Sequence, residues 1–251
     1  MATCSTSNDA ADELSDPGAA PFGNFINYYT FNPPENRLSL IPATLLRDLG
    51  YSGGHQPTLI LDVGCNSGEL SVVFYKHLVH EHVCEEQPEM SNVHLLGFDL
   101  DEILILRAQQ ANPLPGNISF IPMDIMEDSE QLQGYLNLHG CSHFHLCLCL
   151  AVTMWVHLNH GDSGLLQLLS HLASISQHLL LEAQPWKCYR SAARRLRKLG
   201  RSDFDHFKAL KIRGDIAEHA REHLETNCGM ELTQSFGSTA WERKLLLFKR
   251  R

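Results

Sequence analysis

Apolar residues along this chain fall into two alternating rhythms. Short, mostly apolar runs at 58–63, 94–98, 118–121, 143–152 and 179–182 have the length of strands buried on both faces of a sheet. Between them, apolar positions spaced three and four apart predict helices over 69–80, 102–110 and 164–178, the second ended before Pro113. Upstream, 37–49 reads as a helix stopped by Gly50 and the following Ser-Gly-Gly turn. Downstream, a mostly helical basic segment leads to a helix over 216–227 and strands at 230–235 and 244–248. Strands alternating with helices predict an α/β fold whose mostly parallel, seven-stranded sheet is covered on both faces, and the last strand pair predicts an antiparallel edge. The acidic, histidine-containing stretch 80–92 breaks the rhythm and reads as a loop insertion. Residues 1–20, small, polar and acidic, read as disordered, which leaves a single domain over 21–251. That domain begins oddly for a linker, with five aromatic residues between positions 21 and 36.

Composition narrows the setting. A chain of 251 residues can bury a sizeable core without staples. Its longest apolar run, 146–152, is seven residues, far short of the ~18 that a membrane span needs. The polar, acidic N-terminus lacks the basic and apolar regions of a secretory signal, so a cytoplasmic, membrane-free protein is expected. Eight cysteines include no C-x-x-C pair, and Cys147 and Cys149 sit in an apolar strand, as reduced buried thiols do.

Charge changes the picture more. The net charge of −9 argues against a general nucleic-acid coat. Yet 187–213 holds ten of the twenty basic residues against Asp203 and Asp205 alone, so this segment is +8 and the remainder −17. Such asymmetry predicts one anion-binding surface on an acidic body, carried by a basic helical insertion at about 186–213, with a solvated helix face as the plainer explanation.

The stretch Leu59-Ile-Leu-Asp-Val-Gly-Cys-Asn-Ser-Gly68 runs an apolar strand into a glycine turn and then a helix. Glycines there let backbone approach a ligand closely, at the strand ends where open α/β sheets bind ligands. Asn66 stands where a dinucleotide fingerprint needs glycine. The D-x-G-x-x-x-G spacing instead resembles the first motif of class I S-adenosylmethionine-dependent methyltransferases, with their Rossmann-like fold. Asp99 and Asp124, each at the end of a later strand, supply carboxylates in the order that such a nucleoside site requires.

A narrower resemblance follows. Val152-Thr-Met-Trp-Val-His-Leu-Asn-His-Gly-Asp162 and Glu182-Ala-Gln-Pro-Trp-Lys-Cys-Tyr-Arg190 resemble the signature of the bicoid-interacting-protein-type RNA methyltransferases, as do Gly23-Asn-Phe-Ile-Asn-Tyr-Tyr and Arg37-Leu. The resemblance covers roughly residues 21–250. It implies methylation of a 5′-terminal phosphate of small RNAs, and this short chain looks like the branch acting on 5′-monophosphates of tRNA, such as histidine tRNA, or of microRNA precursors. It implies S-adenosylmethionine held by Tyr29, Arg37, Gly64, Cys65, Asn66, Asp99, Leu100, Asp124, Ile125 and Leu150, with Arg37 on the methionine carboxylate. Tyr28, Lys187, Tyr189, Arg190 and His157 are candidates to position the phosphate, Trp155 and Trp186 are candidates to stack on a terminal base, and Arg194 and Arg197 of the basic segment are candidate contacts to RNA phosphates. The γ-phosphate capping branch has an arginine where this chain has Asn32, and one cation fewer fits a less charged terminus. The expected partners are RNA and RNA-processing proteins, and the expected state a monomer.

Other constellations carry less. Asn32-Pro-Pro-Glu35 mimics an amine-methylating box but lies before the glycine motif and lacks its aromatic residue. His77, His80 and His82, or His157 and His160, have no cysteine or carboxylate at metal-site spacing. A ribose 2′-O-methyltransferase needs two lysines that this chain lacks, since no lysine precedes Lys76 and none lies between Lys76 and Lys187. A phosphate nucleophile is already an anion and needs no general base, so no catalytic acid or base is expected. The remaining alternative is an RNA-binding protein that keeps the fold without turnover.

Overall fold

The computed structural model describes residues 20–51, 56–80, 92–127 and 130–251. The expected disorder over 1–19 and nearly all of the expected loop insertion, residues 81–91, lie outside the described residues. Seven strands form one sheet: β1 (Thr58–Val63), β2 (Val93–Asp99), β3 (Ile118–Pro122), β4 (Phe144–Leu150), β5 (Ser176–Glu182), β6 (Met230–Ser238) and β7 (Lys244–Arg250). Their order is β3-β2-β1-β4-β5-β7-β6. The pairs from β3 to β5 are parallel, and β7 runs antiparallel to both β5 and β6. The antiparallel element is therefore a hairpin, with β7 inside the sheet and β6 at its edge.

Side-chain alternation sorts the core into two layers. Leu59, Leu61, Val63, Cys147, Cys149, Leu179, Leu181, Leu246 and Phe248 face one cluster, whereas Ile60, Leu146, Leu148, Leu180, Leu245 and Leu247 face the other. The second layer is covered by α4 (Glu69–His80) and α5 (Glu102–Ala111), through Leu70, Phe74, Leu78, Ile105 and Ala108. The first is covered by α6 (Glu130–Leu138), α7 (Thr153–Ile175), α8 (Trp186–Lys198) and α9 (Ile216–Asn227). Burial on both faces explains why the central strands read as continuous apolar runs.

Four segments differ from the sequence pattern. The helix expected over 37–49 is instead two single turns, α2 (Glu35–Leu38) and α3 (Leu45–Asp48), preceded by α1 (Tyr28–Phe31). Pro42 lies between them and cannot continue a helix that needs its N–H. The helix expected to begin at 164 begins at Thr153, interrupted at Gly161, whose φ of +71° and ψ of −171° lie outside helical space. Helix α6 buries only Leu132 and Leu136, too thin an apolar stripe to stand out in the sequence. The basic segment is helical only to Lys198; the rest of it is turns and loop.

Candidate active site

The strand order reverses beside β1, where β2 and β4 lie on opposite sides, and this switch point opens a crevice at the strand C-termini. The ends of β1, β2, β3 and β4 contribute. Beyond β1, Gly64 turns at φ +68°, Asn66 at +52° and Gly68 at +77°, so the chain reverses into α4 through left-handed backbone. A Cβ at Gly64 would lie 2.7 Å from Val152 Cγ2, and one at Gly68 would lie 2.7 Å from Phe120 Cζ, so neither glycine is replaceable without displacement. Asn66 tolerates its conformation better than most residues, and its Oδ1 accepts the Ser67 N–H at 2.8 Å.

Asp99 ends β2 and is nearly buried. Its Oδ2 accepts the Asn66 N–H at 3.0 Å and its Oδ1 the Asp101 N–H at 3.1 Å. Burial nonetheless pushes its pKa up, against those two bonds. Asp101 caps α5 through Ile103 N and Leu104 N, worth about 1 kcal/mol, and accepts Asn24 Nδ2 at 2.8 Å. That bond pins the aromatic N-terminal segment beside the crevice. Asp124, past β3, holds its own turn by accepting the Met126 N–H at 2.8 Å.

A single cavity is lined by Tyr28, Tyr29, Arg37, Gly64, Asn66, Asp99, Leu100, Asp124, Ile125, Leu150 and Trp155, residues that the sequence picks from seven separate segments. Cys65 is the exception in the expected cofactor set. Its thiol packs into the core, where burial raises its pKa strongly, while its carbonyl accepts the Tyr29 hydroxyl. Phe22, Gly23, Asp62, Asn159 and His160 also line the cavity, although the sequence did not assign them to the site. Gly23 lies against the Trp155 indole, Phe25 meets the same ring edge-on at 5.8 Å, and Asn159 Nδ2 donates to Pro21 O at 3.0 Å. The N-terminal segment is thus strapped across α7, a contact between distant stretches with no local sequence signal.

The expected phosphate- and RNA-contacting residues divide sharply. Only Tyr28 and Trp155 line the cavity. Lys187 is exposed and ion-paired with Glu242, and Arg190 points to solvent from α8. Tyr189 is fully buried and donates no group to the cavity. His157 is also fully buried, with Nε2 2.8 Å from Asp162 Oδ1 and Nδ1 3.0 Å from the Tyr189 hydroxyl. Burial lowers the His157 pKa although the Asp162 bond acts the other way, so the ring is neutral: Nε2 donates to Asp162 and Nδ1 accepts the tyrosine proton. Asp162 also accepts Lys211 N and Ile212 N, at 2.8 and 3.1 Å, so this network fastens the basic loop to α7 rather than touching substrate. Trp186 is held by its neighbours: Tyr189 stacks at 5.0 Å, Phe207 at 5.7 Å, and the Arg213 guanidinium lies 5.3 Å from the ring centroid. Arg194 and Arg197 are exposed on α8, Arg197 lying 3.8 Å from Asp203. Asn32, read as a missing cation, donates to Tyr28 O at 3.1 Å and so caps α1.

Gln184 has a role that spacing could not show. Its Oε1 accepts the Thr153 hydroxyl and the Met154 N–H, both at 3.2 Å, and its Nε2 donates to Ala151 O. Ala151 lines the cavity at φ +62°, a strained conformation for alanine that Gln184 holds in place. Arg37 is fully buried, paired through Nε and Nη2 with Glu182, and its Nη1 has no hydrogen-bond partner among the described residues. A buried guanidinium with an unused donor in the cavity wall suits a carboxylate. Together with the glycine turn and Asp99, it fits the amino acid and nucleoside ends of S-adenosylmethionine. Among the described residues, no group of three or more His, Cys, Asp or Glu could hold a metal ion, and no helix is long and apolar enough to cross a membrane.

Comparison with known proteins agrees with this geometry. A solved structure of the plantazolicin methyltransferase BpumL in complex with SAH matches with a TM-score of 0.55, over 96% of this chain and 94% of that one. At 15% identity that likeness establishes the fold, that of class I methyltransferases. A Danio rerio protein named pre-miRNA 5′-monophosphate methyltransferase is 66% identical over 244 residues, 96% of each chain. A Homo sapiens protein named RNA 5′-monophosphate methyltransferase is 49% identical over 253 residues, 98% of this chain and 87% of that one. A family model described as Bicoid-interacting protein 3 matches residues 144–250, the half that carries the Trp155 and Gln184 blocks. Similarity that runs nearly end to end, and includes those blocks, means that the chain belongs to the Bicoid-interacting protein 3 family.

Proposed function

We propose that this protein is an S-adenosylmethionine-dependent methyltransferase acting on the 5′-monophosphate of small RNAs, tRNA such as histidine tRNA or microRNA precursors, in the cytoplasm and as a monomer. The observation that carries the reading is the joint one: full-length similarity to proteins named for that activity, and a cavity whose Arg37, Asp99 and glycine turn match the cofactor's ends. When bound, the cofactor's sulfonium supplies the methyl group. Asp99 accepts from the nucleoside sugar, and the left-handed turn at Gly64 brings backbone close to the amino acid end. Trp155 and the strapped segment around Gly23 narrow the mouth and exclude water from the terminal phosphate. No side chain has to remove a proton, because a phosphate monoester loses its second proton near pH ~6. Catalysis is alignment and desolvation of two bound groups.

The exposed stripe Arg190, Arg194, Arg197 and Arg201, at helical spacing along α8 and just past its end, then meets the phosphates of the RNA body. Lys187, engaged with Glu242, and Trp186, stacked with Tyr189 and Phe207, are not assigned to RNA.

The test compares one RNA prepared with a 5′-monophosphate, a 5′-hydroxyl and a 5′-triphosphate. Methyl transfer is expected to the first, none to the second and little to the third, with a rate that rises through about pH 6 and then stays level. Equal transfer to the hydroxyl-ended RNA would refute a phosphate nucleophile and restore the ribose alternative.

A further inference from the structure

Beneath the cavity lies a charge imbalance. Glu182, at the end of β5, is fully buried and is shared by two arginines. Arg37 engages both of its oxygens, and Arg243 Nη1 donates to Oε1 at 3.0 Å. Arg243 comes from the turn between β6 and β7, with only 12% of its side chain exposed. Trp241, two residues earlier, contacts both guanidiniums, whose Cζ atoms lie 5.3 and 5.4 Å from its ring centroid. Arg37 Nη2 also donates to the Tyr28 hydroxyl at 2.9 Å. Even so, Arg37 Nη1 and Arg243 Nε are buried without a hydrogen-bond partner among the described residues.

Two fixed positive charges therefore face one fixed negative charge. The other carboxylate that acts on Arg37 is Asp62, which burial pushes up to about 7 and which is only partly ionised at neutral pH. A buried excess cation with idle donors is costly unless an anion completes it. A clamp that merely fastened the hairpin to the sheet would need one arginine, not two.

We propose that Arg243 and Trp241 are positioning residues for an anion bound at Arg37, the carboxylate of the cofactor's methionine moiety. Arg243 draws on Glu182 and so leaves Arg37 with charge to spare, and Trp241 fixes both guanidiniums by cation–π contact. The inference rests on the cofactor reading given above and adds the hairpin to the machinery of the site.

Calorimetry on the full chain, without RNA, tests it with two ligands. S-adenosylhomocysteine carries the amino acid, and 5′-methylthioadenosine keeps the nucleoside but lacks it. Arg243→Gln should weaken S-adenosylhomocysteine about tenfold, the order expected for one charge at an effective dielectric of ~20, and leave 5′-methylthioadenosine unchanged. Arg243→Lys should recover most of that loss, and Trp241→Leu should show the same selectivity, which keeps the test alive if Arg243→Gln does not fold. Equal weakening of both ligands would make the cluster purely structural and overturn the proposal. Unchanged binding of both, with a higher KM for RNA, would assign the anion to the 5′ phosphate and overturn it too. If the unaltered protein binds neither ligand, the cofactor reading itself fails and takes this inference with it.

Discussion

Asp99 and Asp62 lie one strand apart and do opposite work. Asp99 keeps two backbone N–H bonds at the cavity, so it can serve a sugar, whereas Asp62, more deeply buried in the same wall, accepts the Ser71 hydroxyl at 2.6 Å. Asp99→Ala removes hydrogen bonds to a charged group and should weaken S-adenosylhomocysteine by ~1.5–3 kcal/mol, measurable by calorimetry. Undiminished affinity would dissociate β2 from the cofactor. Burial, opposed by the Ser71 bond and by Arg37, raises the Asp62 carboxyl to about 7. A carboxyl raised on folding holds its proton better in the native state. Its stabilising effect is thus complete below the unfolded value near 4 and is lost as pH rises through about 7. Asp62→Asn mimics the protonated form and can still accept from Ser71. Urea unfolding should therefore show the variant gaining on the unaltered protein between pH 5 and 8; a constant difference would mean that Asp62 titrates normally.

At the scale of elements, α7 and α8 explain why the Trp155 and Gln184 blocks belong together. Gln184 leads into α8 but bonds the first turn of α7, and His157 on α7 bonds Tyr189 on α8. Gly161 breaks α7 where Asp162 must turn to receive the basic loop, and a Cβ there would lie 3.2 Å from His206 Nδ1. These contacts hold α8 by its inner face, Tyr189, Ala192, Ala193 and Leu196, and leave its arginines outward. Charge reversal at Arg194 and Arg197 should raise the KM for RNA and flatten its salt dependence, because fewer counterions are released, with no change in cofactor affinity. An unaltered salt slope would mark the stripe as a solvated face.

At the scale of the whole molecule, one continuous seven-stranded sheet joins the cofactor cavity, the basic helix and the C-terminal hairpin. S-adenosylhomocysteine at 100 times its Kd should therefore stabilise a single unfolding transition by about 2.7 kcal/mol, read by calorimetric scanning. A ligand-dependent transition separate from a ligand-independent one would show that the hairpin folds apart from the site. The sequence by itself determined the strands, most helices, the glycine turn and the strand-end carboxylates, because local periodicity and backbone chemistry specify them. Strand β1 and helices α4 and α9 fall where the apolar pattern puts them, since each buries a regular stripe. Tertiary structure alone decided which polar side chains reach the cavity. Lys187, Tyr189 and Trp186 stand in a motif that suggests substrate contact, yet packing and ion pairing turn them elsewhere. Arg243 and Trp241 carry no local signal, and they meet Arg37 only because the chain closes over itself, as Gly23 meets Trp155. A side chain's direction depends on neighbours far away in sequence, and no pattern read along the chain contains that information.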